Sequence, residues 1–330
     1  TMDNLDLEFF AFYAPTRLLF RDWAQLNGEK KTKNISFYSI YTIKIVNSGL
    51  NTMGNSYISY KNYMDSKFLD KYGPWAIVTG ASSGIGVEYA RQLAAKGLHL
   101  VLVARRKQLL DQLATELSEQ YKINCKTVEA DLSADGFQQD ILDATQDLEV
   151  GLLVNNAGMN CEGHFYRGSL ERNLQMIQLN VKAPFVLAYE YGKQFAGRGK
   201  GGIIFTSSIS AFNAHPYLSH YAATKAYILS LAESMNYEFK DKNVDVIALC
   251  PGMTKSEMTK GMKDGPMLME AAPVVETVLD NIGKEAYVVP GILNKTQVFL
   301  NSRILNRSGA TSLSGAILKK MLPGANKKKK

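Results

Sequence analysis

The sequence is poor in cysteine and has no long apolar run. Its 330 residues include only three cysteines, Cys125, Cys161 and Cys250, which lie far apart. This number and spacing fit neither a disulfide framework nor a zinc site, so we expect reduced thiols and no bound metal. No stretch approaches the roughly 18 uninterrupted apolar residues of a membrane-spanning helix, so no such helix is predicted. The N-terminal region also lacks the basic, apolar and small-residue pattern of a cleaved secretory signal.

Acidic residues are missing from the C-terminal end, which accounts for most of the net charge of +7. Lys319, Lys320 and Lys327–Lys330 lie within the last twelve residues, which contain no aspartate or glutamate. The rest of the chain is close to neutral, and we therefore expect no binding of nucleic acid through a basic face. The proportions of hydrophobic residues, 46%, and charged residues, 21%, are those of an ordinary globular protein.

Between about residues 71 and 291, short apolar runs alternate with segments of helical periodicity. The predicted strands are Trp75–Thr79, His99–Val103, Cys125–Ala130, Gly151–Asn155, Gly202–Ser207, Val244–Cys250 and Ala286–Pro290. Strands that are apolar throughout are covered on both faces, which is typical of a parallel sheet between helices. We therefore predict an α/β fold, a doubly wound Rossmann-type parallel sheet of about seven strands with helices on both faces. Such folds bind ligands at the carboxyl ends of their strands.

The two ends of the chain, residues 1–70 and 292–330, are predicted to be extensions of this domain of residues 71–291. The first either packs on the core or a membrane surface, or is a poorly ordered leader, with Met64 as an alternative start. The second contains an amphipathic stretch, Ser312–Leu322, and the lysine tail, which either rest on an anionic membrane surface or form a solvated end. We expect a cytoplasmic protein, free or peripheral on the cytoplasmic face of a membrane, which in a eukaryote would be the endoplasmic reticulum.

A glycine-rich turn follows the first predicted strand directly. The segment Thr79–Gly86 reads TGASSGIG and opens a helix. A phosphate reaches the backbone N–H groups of a helix N-terminus only where side chains are absent, so this placement predicts a dinucleotide site. The residues assigned to the site are Gly80, Ser82, Ser83, Gly84, Ile85 and Gly86.

The end of the second predicted strand has no carboxylate. A dinucleotide fold that prefers NAD usually places an acid there, which binds the ribose 2′-hydroxyl. Arg105 and Arg106 occupy this position instead. Because a guanidinium suits a 2′-phosphate, the predicted cofactor is NADP(H). The alternative is that the two arginines only lie in solvent at the edge of the sheet.

A tyrosine and a lysine, Tyr221 and Lys225, lie four residues apart at the start of a long predicted helix. This spacing places both side chains on one face, where the cation should lower the pKa of the phenol and make it a better proton carrier. Only Tyr221 has a serine 13 residues upstream, Ser208, at the end of a predicted strand. The spacing by itself is common, and three further pairs share it: Tyr57/Lys61, Tyr63/Lys67 and Tyr189/Lys193.

Taken together, these motifs make residues of about 71–255 resemble the single-domain branch of the short-chain dehydrogenases/reductases. The lead-in Lys71–Trp75 further resembles very-long-chain 3-oxoacyl-CoA reductases and related 17-beta-hydroxysteroid dehydrogenases. The matching elements, in the order of the family, are Gly80–Gly86, Asp131-Leu132, Asn155–Gly158, Asn180, Ser208, Tyr221, Lys225 and Pro251-Gly252.

The resemblance implies a role for each matching residue. Tyr221 would transfer the proton, Lys225 would hold the nicotinamide ribose, and Ser208 would bind the substrate oxygen. Asn180 would hold a water that links Lys225 to solvent and so complete the catalytic set. Asp131 would meet the adenine. The other implied cofactor contacts are Asn156, Ala157, Tyr221, Lys225, Pro251, Gly252 and Thr254.

The resemblance also implies the function, a reversible NADP(H)-dependent reduction of a carbonyl to a secondary alcohol. Five methionines lie within the 17 residues from Met253 to Met269. They suit a lipid-like substrate, such as a 3-oxoacyl thioester or a ketosteroid, or else ordinary packing of a lid helix. A homodimer or homotetramer through the helices of about Ser169–Phe195 and Ser219–Lys240 is implied as well. The alternatives are a catalytically idle Rossmann protein that senses NADP(H) or acts as a scaffold, and a lyase or epimerase of the two-domain branch, which the Gly-x3-Gly-x-Gly spacing disfavours.

Overall fold

The computed structural model of the chain describes residues 65–262 and 265–321, in which a helical segment over residues 65–72 precedes a seven-stranded sheet. The strand order across the sheet is β3-β2-β1-β4-β5-β6-β7, and every pair of neighbours is parallel. This is the predicted doubly wound Rossmann-type fold. The strands are β1 Trp75–Thr79, β2 His99–Ala104, β3 Cys125–Glu129, β4 Val150–Asn155, β5 Gly201–Thr206, β6 Val244–Leu249 and β7 Tyr287–Val288.

Helices follow the strands on both faces of the sheet. A π-helical turn, Gln178–Lys182, joins α4 to α5, and a second one, Leu300–Ile304, follows α8. The α-helices are α1 Gly84–Ala95, α2 Lys107–Tyr121, α3 Phe137–Thr145, α4 Leu170–Ile177, α5 Ala183–Arg198, α6 Ser219–Glu238, α7 Ala271–Leu279, α8 Ile292–Phe299 and α9 Arg307–Met321.

The sheet separates two hydrophobic clusters, and this explains why its strands are apolar throughout. Val78 and Leu102 face the cluster that contains Leu93 of α1 and Leu110 of α2. Their neighbours Ile77 and Val101 face the second cluster, which contains Leu187 of α5 and Ile228 of α6. Since successive residues of a strand point to opposite faces, a strand covered on both faces has no polar alternation.

The C-terminal part of the described chain packs on the domain as helices. Residues 312–321 of the predicted amphipathic stretch Ser312–Leu322 lie in α9, which begins earlier, at Arg307. The side chain of Asn213, in the loop before α6, donates to Ser314 Oγ at 3.0 Å and ties α9 to that loop. No helix of the described residues is both long and apolar enough to cross a membrane. The predictions for residues 1–64 and for the tail Lys327–Lys330 lie outside the described residues.

Candidate active site

A cleft of about 2590 Å³ lies at the carboxyl ends of the strands. Residues within two positions after the ends of β1, β2, β3, β4 and β6 line it, together with the end of β5. In a parallel sheet these ends meet at one edge, and the sequence predicted a site there. The cleft continues past this edge to a wall formed by the C-terminal helices.

The glycine-rich turn forms one end of the cleft. Gly80 adopts φ +68°, and a Cβ added to it would lie 2.9 Å from Ala157 Cα, so a side chain would push β1 and the loop after β4 apart. A Cβ on Gly86 would lie 2.0 Å from the carbonyl oxygen of Gly80. These two glycines therefore let α1 start directly against the turn.

The N-terminus of α1 has the features of an anion site. Ser83 is its N-cap but makes no side-chain capping bond, and its first turn holds no acidic residue. No carboxylate of that turn competes for the positive end of the helix, so the turn suits the phosphates of a dinucleotide. Of the six residues predicted for the turn, Gly84 and Gly86 do not line the cleft, while Gly80, Ser82, Ser83 and Ile85 do.

Arg105 and Asp131 face the cleft at the ends of β2 and β3. Arg105 Nη1 lies 3.9 Å from Asp131 Oδ2. Burial alone would raise the pKa of Asp131, but two hydrogen bonds from Ser133 and the charge of Arg105 outweigh it, so the pKa is lowered. Asp131 is therefore ionised at neutral pH, while the side chain of Arg105 is 68% exposed beside it.

Arg106 reaches across the same end of the cleft. Its Nε and Nη2 donate to Ser82 Oγ at 3.2 and 2.8 Å. Its Nη1 donates to Glu257 Oε1 at 2.5 Å. Arg106 thus links the glycine-rich turn to the segment that follows β6.

The loop after β4 closes the floor of the cleft. Asn156 and Ala157 donate their N–H groups to Thr79 Oγ1 at 2.9 and 3.1 Å. Asn156 Nδ2 also donates to the carbonyl oxygen of Thr79 at 3.0 Å. The ends of β1 and β4 are therefore held together, and both Asn156 and Ala157 line the cleft.

Ser208, Tyr221 and Lys225 all line the cleft. Lys225 is 5% exposed, and its Nζ donates to the carbonyl oxygen of Thr206 at 2.8 Å. The same Nζ lies 5.7 Å from the centroid of the Tyr221 ring. The Ser208 hydroxyl is close enough to the Tyr221 phenol to influence its pKa, and Ser208 Oγ accepts from the backbone N–H of Ser210 at 3.1 Å.

The pKa of Tyr221 is shifted in the direction opposite to the sequence prediction. Burial raises it, and the neighbouring Ser208 hydroxyl lowers it only in part. Burial lowers the pKa of Lys225 to about 8. With these shifts the phenol is protonated at neutral pH, while Lys225, whose ammonium donates to Thr206, remains mostly charged.

Asn180 lies behind the wall of the cleft and does not line it. Its carboxamide accepts from the N–H of Met159 and donates to the carbonyl oxygen of the same residue, both at 2.9 Å. It also donates to Thr224 Oγ1 at 3.2 Å. A Cβ on Gly158 would lie 3.3 Å from Asn180 Oδ1 and 3.5 Å from Lys225 Nζ. The Asn180 side chain therefore fixes the loop after β4 against α6, next to Lys225.

The segment after β6 covers the cleft. Pro251, Gly252 and Thr254 line it, and Thr254 Oγ1 donates to the carbonyl oxygen of Gly252 at 3.2 Å. Met269 packs against the core instead. The other four methionines of the cluster, Met253, Met258, Met262 and Met267, line the cleft.

The sequence did not predict the C-terminal wall of the cleft. Its amphipathic face was interpreted as a membrane or solvent face, whereas in the structure it contributes to the cleft. Tyr217, which has φ +67°, was not singled out either, although it lines the cleft beside His164 at a ring distance of 5.1 Å. The apolar residues of the wall are Leu293, Leu300, Ile304, Leu305, Leu313, Ile317, Leu318 and Met321.

A family model described as short chain dehydrogenase matches residues 74–266. The chain belongs to the short-chain dehydrogenase family. The family is one of oxidoreductases that act on hydroxyl and carbonyl groups with a nicotinamide cofactor. The fit of the glycine-rich turn to phosphate agrees with that membership. No group of side chains in residues 65–262 and 265–321 has the composition and placement of a metal site.

Several members of the short-chain dehydrogenase family are similar along most of the chain. A 7beta-hydroxysteroid dehydrogenase of Mediterraneibacter gnavus is 33% identical over 237 residues, 69% of this chain and 90% of that protein. A human very-long-chain 3-oxoacyl-CoA reductase is 30% identical over 259 residues, 77% of this chain and 80% of that protein. A solved short-chain dehydrogenase from Sphingobium yanoikuyae in complex with NADPH is 31% identical, with a TM-score of 0.62 over 71% of this chain and 97% of that one.

Proposed function

We propose that the chain is an NADP(H)-dependent oxidoreductase that reversibly reduces a carbonyl to a secondary alcohol on an apolar substrate. The observation that carries the proposal is that Ser208, Tyr221 and Lys225 face one cleft, whose other end is a glycine-rich turn suited to phosphate. Bound there, NADP(H) would supply or accept the hydride. The cofactor would be held by the predicted residues of the turn, by Arg105 and Arg106, and by the residues after β3, β4 and β6.

In the direction of reduction, Tyr221 donates its phenol proton to the substrate oxygen. Burial favours the neutral phenol, so this proton is in place at neutral pH. The Ser208 hydroxyl, which lines the cleft together with Tyr221, holds the same substrate oxygen while negative charge develops on it. In oxidation the step runs in reverse: Tyr221, as the phenolate, accepts the proton of the alcohol while Ser208 holds the same oxygen. Lys225 provides a cation beside the phenol, and Asn180 positions the loop next to it.

NADP(H) rather than NAD(H) is proposed because two guanidinium groups stand at the end of β2. Arg105 is exposed, and Arg106 is held against Ser82 of the turn. The charge of Asp131, beyond them at the end of β3, is compensated by Arg105. A solved relative that binds NADPH supports the assignment.

An apolar substrate is proposed because the far part of the cleft is lined by aliphatic side chains and thioethers. Methionine side chains adapt to irregular ligands and suit bulky lipid-like molecules. The names of two similar proteins, a 7beta-hydroxysteroid dehydrogenase and a very-long-chain 3-oxoacyl-CoA reductase, support a ketosteroid or a 3-oxoacyl thioester as the substrate, and with it a role in lipid metabolism.

We also propose that the chain associates with further copies of itself. Exposed aromatic side chains on α5 and α6, Phe185, Tyr189, Tyr227 and Tyr237, support association into a homodimer or homotetramer through these helices. A catalytic domain of residues 71–291, a cytoplasmic location and contact of the basic C-terminal end with a membrane surface stay predictions of the sequence.

The decisive experiment measures oxidation of NADPH and of NADH in the presence of ketosteroids, 3-oxoacyl thioesters and simple ketones. We expect turnover with NADPH and with the bulky apolar ketones. Binding of NADPH without turnover of any carbonyl would favour the alternative of an idle NADP(H)-sensing or scaffold protein. Equal affinity for the two dinucleotides would refute the preference for NADP(H).

A further inference from the structure

An ion pair crosses the end of the cleft where the adenosine part of a dinucleotide would be held. Glu257 Oε1 lies 2.5 Å from Arg106 Nη1. The other two guanidinium nitrogens of Arg106, Nε and Nη2, donate to Ser82 Oγ. All three residues line the cleft. Glu257 is in a 3-10 turn, Glu257–Thr259, in the segment that follows β6. The guanidinium proposed to bind a 2′-phosphate is therefore already bonded to a carboxylate of the same chain.

The residue before Glu257 packs on the glycine-rich turn. Gly84, the first residue of α1, has φ +53°, and a Cβ added there would lie 2.7 Å from Ser256 Cβ. The backbone around Ser256 is held by a bond from its N–H to Thr259 Oγ1 at 3.0 Å. Ser256 therefore lies against the glycine-rich turn, while the next residue, Glu257, binds Arg106.

We propose that Glu257 competes with the 2′-phosphate of NADP(H) for Arg106 and so determines how strongly the chain prefers the phosphorylated dinucleotide. Carboxylate and phosphate oxygens bind the guanidinium fork in the same manner, so one anion must leave the Nη1 edge before the other takes it. The inference rests on the proposed use of NADP(H). NAD(H), which lacks the 2′-phosphate, does not take part in this competition.

The charges around the pair fit this competition. The hydrogen bond and the charge of Arg106 lower the pKa of Glu257, so its carboxylate is ionised at neutral pH. The side chains of Arg106 and Glu257 are 41% and 60% exposed. An exposed ion pair is weak, so a phosphate with its larger charge can displace it.

The test uses E257Q, which keeps the shape of the side chain and removes its charge. The matched control is E270Q, because Glu270 pairs with Lys255 at 2.6 Å in the same covering segment and does not line the cleft. Dissociation constants for NADPH and NADH are measured by isothermal titration calorimetry at fixed ionic strength. We expect E257Q to bind NADPH about two- to fivefold more tightly, the range that an exposed ion pair allows, with NADH binding unchanged. We expect E270Q to match the wild type with both.

The competition also predicts that the effect disappears without Arg106. In the Arg106→Ala background, E257Q should leave the affinity for NADPH unchanged, because no guanidinium remains to be contested. The same measurements with adenosine 2′,5′-bisphosphate and with ADP isolate the adenosine end and should give the same pattern. These readouts are binding constants and do not depend on turnover.

Three results would overturn the inference: equal tightening of NADPH and NADH in E257Q, tightening that persists in the Arg106→Ala background, or weaker NADPH binding in E257Q. The last would mean that Glu257 positions Arg106 for the cofactor. Failure of the proposed function looks different, since the wild type would then bind NADH as tightly as NADPH, and Arg106→Ala would leave NADPH binding unchanged.

Discussion

Burial shifts the pKa values of Tyr221 and Lys225 in opposite directions. It disfavours the phenolate of Tyr221 and the ammonium of Lys225, so it raises the first pKa and lowers the second to about 8. At neutral pH the chain therefore presents a protonated phenol beside a cation whose charge is easily lost. This combination suits donation of a proton to a carbonyl oxygen. Because the two pKa values shift in opposite directions, the contributions of the two residues can be tested by separate experiments.

The first prediction concerns the proton itself. Tyr221→Phe removes the hydroxyl that would donate it, and we expect turnover to fall by about 100-fold or more, the usual contribution of a general acid. NADPH should still bind in calorimetry, since only the phenol oxygen is lost. Tyr227→Phe is the control, because Tyr227 lies on the same helix, is 43% exposed and does not line the cleft. Full activity in Tyr221→Phe would contradict the assignment of the proton donor.

The second prediction concerns the buried ammonium of Lys225. Its folded-state pKa, about 8, is below the ordinary value of 10.5. Between these values the unfolded chain keeps a proton that the folded chain has lost, so stability from this group rises with pH, by about 1.4 kcal/mol per unit. The burial cost is present in full below pH 8.

Chemical denaturation of the wild type and Lys225→Met at pH 7, 8 and 9.5 tests this sign. The free energy of unfolding of the wild type should increase relative to that of the variant between pH 8 and 9.5. Using the difference between the two proteins cancels the titration of all other groups. A difference that stays constant over this range would show that Lys225 is not desolvated as described.

At the scale of residues, the sequence predicted side chains that a motif holds together and missed those that only the fold brings together. Ser208 follows the end of one strand, and Tyr221 and Lys225 lie one turn apart on one helix. Their spacing in the sequence therefore suffices to predict that they lie close together. Arg106 and Glu257 are 151 residues apart along the chain. No local pattern relates them, and their contact follows only from the way the segment after β6 crosses the sheet.

The elements themselves were largely predictable, because most strands are buried on both faces and appear as unbroken apolar runs. β1 has the predicted bounds, and five further strands end within one residue of them. The edge strand β7 is shorter than predicted, since it pairs with β6 over only two residues. The π-helical turn Gln178–Lys182 was not predicted, because its residues continue the helical periodicity of α4 and α5.

Helix α9 shows why the surface that a helix covers is harder to predict than the helix. Leu313, Ile317 and Met321 form the expected apolar face, and all three line the cleft while remaining 47–50% exposed. An amphipathic pattern tells which face is apolar but does not tell whether it meets a core, a ligand or a lipid. The contact of Ser314 with Asn213 directs this face towards the cleft.

The third prediction belongs to α9. Leu313→Asn together with Ile317→Asn makes the wall of the cleft polar, and we expect KM for a bulky apolar ketone to rise about five- to tenfold, since each side chain would lose apolar contact with the substrate. KM for a small ketone and the affinity for NADPH should not change. Leu109→Asn, at a 37% exposed position of α2 outside the cleft, is the control. Equal effects on small and bulky ketones would contradict a role of this wall in binding the substrate.

At the scale of the whole molecule, the charge is distributed very unevenly. From residue 286 to the end the chain has nine basic residues and no acidic one. The described part of this region also exposes large apolar side chains. Ile292 is 75% exposed, Phe299 56% and Ile304 62%. Apolar side chains among basic ones are typical of surfaces that bind anionic bilayers, and here some of them also border the cleft.

The fourth prediction follows from this distribution. The wild type should sediment with vesicles that contain phosphatidylserine and much less with neutral phosphatidylcholine vesicles, and the difference should shrink as salt is added. Replacing Lys327, Lys328, Lys329 and Lys330 by glutamine should weaken binding more than tenfold, since each lysine near such a surface contributes about 1 kcal/mol. Lys122→Gln with Lys240→Gln, far along the chain from this end, should change little. Binding to an anionic surface requires both the charge of the lipid and the opposite charge of the protein. If the wild type sedimented equally with both kinds of vesicle, or if replacing the four lysines had no effect, the basic end would be a solvated one that does not bind membranes.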